Sequence, residues 1–186
     1  MAISLGSVSG SAMHGSVVPL ASYVADGTTY GATFTNIPQV YQDLFVVVNG
    51  RGAYAANTVL IQANINNTFG SNGSQTELKG DGSSATSTRL TNQGGVALGY
   101  LPAANATASV FGSMEIHILN YANSTTNKTT LCRYASDYNG AGVTGLTVGL
   151  QRPTTAITLL EVATYGVGNL VSGSRISLYG IRTIGQ

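Results

Sequence analysis

Charge is what this sequence has least of: Asp, Glu, Lys and Arg make up 8% of its 186 residues, against about 25% in an ordinary soluble domain. The eight Lys and Arg are scattered from Arg51 to Arg182 and the formal net charge is +1. Phosphate backbones are bound by a clustered basic face, so nucleic acid is not expected as a partner. Cysteine is nearly absent too. Cys132 stands alone, which excludes an intramolecular disulfide and a cysteine-based zinc cluster, and a lone thiol in an apolar run reads as a small buried residue. Long hydrophobic runs are missing as well: Leu44–Val48 falls far short of the roughly 20 residues of a membrane helix, so no membrane partner is expected. The opening Met1-Ala2-Ile3-Ser4-Leu5-Gly6 has neither a basic nor a long apolar stretch of a secretion signal, and synthesis and assembly in a cytoplasm are expected.

What is present is apolar and small-polar. Hydrophobic residues reach 43% and there are ten Tyr, enough to bury one core without disulfide staples, while the low charge excludes the usual disordered composition. Ser, Thr, Asn and Gly take the place of surface charge. Such a surface suits a rigid β-protein built into a larger assembly.

Helical periodicity is nearly absent, and short β-branched runs recur between Gly, Asn, Asp and Pro, the signature of an all-β sandwich or barrel. Val59, Ile61, Ala63 and Ile65 alternate with Leu60, Gln62 and Asn64, predicting a strand that ends at Asn66-Asn67. Met114, Ile116 and Ile118 alternate with Ser113, Glu115 and His117, a half-exposed strand followed by a turn over Asn120–Asn127. Leu44–Val48 and Ala156–Val162 are apolar on both faces apart from Thr158 and Glu161, predicting central strands covered on two sides. Weaker runs at Val17–Val24, Tyr30–Thr35, Thr129–Tyr134 and Val143–Gly149, with a last strand over Arg175–Arg182, bring the number to about eight or more, the size of an antiparallel jelly roll. Gly70–Pro102 is the least sheet-like stretch, suited to short strands or partner contacts. The expected organisation is a flexible, small-residue arm over 1–15 and a single jelly-roll-like β-sandwich over 16–186.

Chemistry finds little to work with. The only His are His14 and His117, and Gly6-Ser7-Val8-Ser9-Gly10 lacks the spacing of a nucleophile elbow. Glu115 and His117 share a strand face, which reads as surface cross-strand pairing rather than an acid and base. Of the seven carboxylates, Asp26-Gly27 and Asp81-Gly82 read as turns. Asp43, Glu115, Asp137 and Glu161 stay open as acids, with no spacing that pairs them. Oxygen-rich Asn64–Asp81 does not match a calcium loop. No catalytic residue, metal or cofactor is expected, and most Tyr are expected to pack in the sheets rather than stack on sugars.

Five segments carry a resemblance: Ile37–Leu44 (IPQVYQDL), Gly80–Ser84 (GDGSS), Phe111–Ile116 (FGSMEI), Asn120–Ser124 (NYANS) followed by Lys128, and Gly168–Ile181 (GNLVSGSRISLYGI). In this order the chain resembles a β-sandwich module of tailed-phage virion proteins, frequent among phages of cyanobacteria and other aquatic hosts. The resemblance implies a jelly-roll-like virion protein, a homotrimer, and no catalytic residues. In tail fibres the module closes a longer chain, whereas here it is nearly the whole sequence, which fits a capsid decoration (cement) protein bound to the major capsid protein. The alternative is a tail-fibre or tail-tip module that recognises host surface glycans. Contacts with the capsid are expected at Ile3, Leu5 and Val8, as an arm lying between capsomers or adding to a neighbour's sheet, and at the loop around Asp81.

Overall fold

The structure, a computed structural model, describes residues 1–4, 17–138 and 140–182. Among these residues the regular structure is all strand: β1 (Ala2–Ser4), β2 (Val17–Val24), β3 (Gly31–Thr35), β4 (Asp43–Gly50), β5 (Thr58–Ile65), β6 (Gly73–Gly80), β7 (Ala85–Gln93), β8 (Val96–Pro102), β9 (Gly112–Leu119), β10 (Lys128–Asp137), β11 (Gly142–Gln151), β12 (Leu159–Thr164) and β13 (Arg175–Ile181). They form one sheet in the order β1-β3-β12-β5-β8 and another in the order β2-β13-β4-β9-β10-β11-β6-β7. Every pairing is antiparallel except β1 with β3.

The connectivity is that of a jelly roll with insertions. Taken alone, β2-β13-β4-β9 faces β3-β12-β5-β8, the two four-stranded sheets of the eight-stranded double Greek key. The hairpins β6–β7 and β10–β11 are inserted into that chain order and join the β9 edge side by side. They double the width of one sheet. Ala2–Ser4, from the expected arm, adds β1 to the edge of the other by pairing with Thr33–Thr35.

Period-two alternation fills the space between the sheets. From the wide sheet come Leu44, Val46, Val48, Met114, Ile116, Ile118, Ile176 and Leu178; from the narrow one Phe34, Val59, Ile61, Leu98, Leu101, Leu160 and Val162, all buried. Each large aliphatic removed from water in this layer stabilises the fold by about 1.5–3 kcal/mol. Beyond β9, the strand β8 lies over the inner face of the inserted hairpins. Tyr134 of β10 fits there because Gly99 of β8 and Gly145 of β11 have no side chains; a Cβ on either would overlap the Tyr134 ring. Gly99 has φ 146°, a conformation open to glycine and strained for other residues.

Three expectations are corrected. Gly70–Pro102 carries β6, β7 and β8, because the backbone ladder holds a strand that is exposed on both faces; eight of the nine residues of β7 are exposed. β4 is central, but Phe45 and Val47 on its outer face are only half-buried. The strand expected over Ala156–Val162 begins at Leu159. Asn66 holds the segment before it, accepting from the Thr158 amide at 2.9 Å and donating to the Ala156 carbonyl at 2.9 Å.

Two cations are buried without a carboxylate in their hydrogen-bond shells. Lys128 opens β10 fully enclosed, its Nζ donating to the carbonyls of Asn123 (2.5 Å), Thr154 (2.8 Å) and Thr126 (2.9 Å). Burial holds its amine below the usual lysine range. Arg51, at the end of β4, donates to the carbonyls of Thr107 (2.6 Å), Ala106 (2.7 Å), Val110 (3.1 Å) and Ala104 (3.3 Å). Backbone dipoles thus solvate both charges, and each charge fixes a loop between strands.

Candidate functional site

Widening one sheet leaves it with a large outward face. Leu131 of β10 lies opposite Val148 of β11, and Leu146 of β11 lies between Arg133 of β10 and Leu78 of β6. All four apolar side chains point away from the sandwich, with exposures of 57% (Leu78), 39% (Leu131), 53% (Leu146) and 43% (Val148). Toward the jelly-roll strands the patch continues through His117 and Phe45, whose rings meet edge to face at 6.4 Å, and on to Tyr179. A groove of 240 Å³ runs between Phe45, His117, Leu131 and Leu146.

The charges on this face are paired with one another. Arg133 Nε donates to Glu115 Oε2 at 2.5 Å across the β9–β10 ladder. His117 Nε2 lies 3.0 Å from Asp43 Oδ2, whose other oxygen accepts the Asn120 amide at 2.8 Å. Glu115 and His117 therefore bind cross-strand partners, as the alternation implied, and not each other. The face is apolar, and both of its carboxylates have partners on the sheet.

Of the residues expected to make contacts, Ile3 lies in β1 and packs, partly buried, against the chain's own core. Leu5 and Val8 lie outside the described residues. Asp81 sits at the tip of the β6–β7 hairpin, where its Oδ1 accepts from the amides of Ser84 (2.8 Å) and Ser83 (2.9 Å) and from the Ser83 hydroxyl (2.8 Å). These bonds, led by the Ser84 amide, hold its carboxyl well below the usual range. Asp81 and Asp137 both line a shallow depression of 490 Å³, and the second Asp81 oxygen is also held by its own turn, accepting from the Ser84 hydroxyl at 3.3 Å. Asp26 makes the same kind of turn, accepting from the Thr28 amide at 2.9 Å.

Cys132 is buried on the inner side, and burial pushes its thiol far above the usual range, the opposite of an activated nucleophile. Within Asn64–Asp81, Asn64 donates to the Gly94 carbonyl and Glu77 accepts from the Tyr134 hydroxyl, so these oxygen-bearing side chains belong to the sheet. Among the described residues no three His, Cys, Asp or Glu side chains come together as a metal site. No helix among them is long and apolar enough to cross a membrane. No family model, curated protein or solved structure matches the chain significantly.

The outer patch escaped sequence reading because it joins the β10–β11 hairpin to β6, which lies far from it in the chain. The signal was nonetheless present: Leu131, Leu146 and Val148 occupy the phase opposite to Thr130, Cys132 and Thr147 in their strands.

Proposed function

We propose that this protein is a non-enzymatic structural protein of a virion, a capsid decoration protein that docks on the major capsid protein through the outer face of its wide sheet, as a homotrimer. The observation that carries this reading is the contiguous patch of Leu78, Leu131, Leu146 and Val148, each more than a third exposed. Soluble monomers rarely leave such a patch bare unless it meets a partner. Because Glu115 is paired with Arg133, and Asp43 is hydrogen-bonded to His117 and the Asn120 amide, covering the face leaves neither carboxylate without a partner, and the occupant that fits is an equally apolar, weakly charged protein surface. A β-sandwich clamped by carbonyl-bound cations supplies the stiffness that a cement protein needs.

The test is cosedimentation of the purified chain with heads of the phage that carries it, together with reconstruction of that particle. Wild type is expected to saturate the heads at a fixed copy number and to appear over the shell between capsomers. Leu131→Asp/Leu146→Asp is expected to remain in the supernatant while keeping its circular dichroism. Density confined to the tail would overturn the assignment and favour the second reading, a receptor-binding tail module for host glycans.

A further inference from the structure

The opposite face of β6 carries a different feature. Gln75, Glu77 and Lys79 alternate with Thr76 and Leu78 and so point inward, where β8 passes beneath them. Between these strands lies a cavity of 80 Å³, about the room of three waters. Its polar wall is Gln75, Glu77 and Lys79, and its apolar wall is Leu60, Ala97 and Leu90, with Tyr100 beside both.

The polar wall is incomplete. Gln75 is 4% exposed and its Oε1 has no hydrogen-bond partner, a deficit that folded proteins rarely leave standing. Glu77 is fixed by the Tyr134 hydroxyl, which donates to its Oε1 at 2.5 Å, and its other oxygen lies 3.7 Å from Lys79 Nζ. Lys79 Nζ in turn stands 4.6 Å over the Tyr100 ring. The cavity wall thus offers a carboxamide without a hydrogen-bond partner, an ammonium with protons to donate, no net charge, and an aliphatic wall.

We infer that this cavity binds the acetamido group of an N-acetylated amino sugar. Its N–H donates to the Gln75 carboxamide oxygen as that amide turns toward the cavity, its carbonyl accepts from Lys79, and its methyl covers Leu60 and Ala97. Neutrality disfavours a carboxylate or an amine, and the aliphatic wall disfavours a bare hydroxyl. The sugar ring itself stays at the mouth, where Thr88 and Leu90 are exposed. An acetylated lysine presents the same amide on a four-carbon stem, for which Leu90 is the one apolar side chain at the mouth, beside Thr88. Since the cavity and the outer patch lie on opposite faces of β6, this site stands or falls separately from docking on a capsid.

The experiment is an amide-resolved NMR titration of the full chain with N-acetylglucosamine, glucose and N-acetyl-lysine amide. Saturable shifts centred on Gln75, Glu77, Lys79 and Tyr100 are expected with N-acetylglucosamine alone. Gln75→Leu is expected to weaken binding at least about tenfold through loss of the buried hydrogen bond, with the rest of the spectrum unchanged. Lys79→Met, at a less buried position, gives the same readout if Gln75→Leu fails to fold. Absence of saturable shifts, equal shifts with glucose, tighter binding of N-acetyl-lysine amide, or undiminished binding by the variants would each overturn the assignment.

Discussion

Replacing Lys128 by methionine tests whether the carbonyl cage around its ammonium holds the fold together. Three carbonyls, from Asn123, Thr126 and Thr154, converge on Nζ. Deleting the donor leaves them facing one another, at about 1–3 kcal/mol for each that stays dry. Against that, removing an ammonium from a dry site relieves a desolvation penalty of several kcal/mol. Methionine keeps most of the stem packing, and the parent residues of the three carbonyls are exposed, so water recovers part of the loss. The balance is a destabilisation of about 2 kcal/mol, read as a lower urea midpoint with an unchanged slope. The pH dependence separates the terms. Burial lowers the folded-state pKa of Lys128, so between that lowered value and the ordinary one near 10.4 the unfolded chain binds a proton that the folded chain has released. Wild-type stability therefore gains on the variant as pH rises through that window, by up to about 1.4 kcal/mol per pH unit. A variant as stable as wild type at neutral pH, or a difference flat with pH, would show that the cage does not hold the loops.

Gly99→Ala should cost about 2–4 kcal/mol, since the new methyl meets the Tyr134 ring at a backbone φ of 146°; overpacking and backbone strain add. Urea unfolding of this variant beside the double variant Gly99→Ala/Tyr134→Leu checks the mechanism: removing the ring should return part of the loss, and no recovery would place the cost in the backbone alone. Alkaline pH should weaken the fold, because the proton affinities of Cys132, Tyr121 and Tyr134 are raised, chiefly by burial, with Glu77 also acting on Tyr134. A raised folded pKa means that stability is full below the unfolded value and falls as pH climbs through it, near 8.5 for the thiol and near 10 for the phenols. These three groups outweigh Lys128, so the urea midpoint should drop between about pH 8 and pH 11; a level midpoint would refute the assignment of these side chains to the dry interior.

The sequence was most readable where one face of a strand is wet and the other dry. Val59, Ile61, Ala63 and Ile65 of β5 and Met114, Ile116 and Ile118 of β9 are buried as their alternation required. The Asp26-Gly27 and Asp81-Gly82 turns also follow from local chemistry, because the hydrogen bonds that make them span two or three residues. β7 was unreadable for the complementary reason: exposed on both faces, Ala85–Gln93 carries no period, and only its pairing with β6 makes it a strand. Nor does sequence announce that Lys128 is buried, since what solvates it is carbonyl groups, which every residue has. The cavity residues Gln75, Glu77, Lys79 and Tyr100 fell in the stretch read as least sheet-like, suited to short strands or partner contacts, and their meeting depends on β8 crossing beneath β6.

Scarcity of charge takes on a structural meaning in this fold. Of the eight Lys and Arg, Lys128 and Arg51 lie inside, held by carbonyls, while Arg133 and Lys79 have acidic partners on neighbouring positions of the sheet. The charges therefore organise the chain itself and contribute little to a repelling surface. The exposed surface then rests on the hydroxyls and amides that fill strands such as β7, and these only border the patch around Leu146, with Thr76 opposite Val148 and Ser87 opposite Leu78. An apolar patch on a surface with so little like-charge repulsion favours association. A bare patch of this kind would promote aggregation of the free chain, whereas a partner that covers it turns the same property into adhesion. The outer face is accordingly where a change should separate folding from assembly: Leu146→Ser removes a side chain that is 53% exposed, which should move the unfolding free energy by no more than about 0.5 kcal/mol while weakening docking. If Leu146→Ser instead unfolds the chain, the patch is part of the protein's own core and not a surface for another.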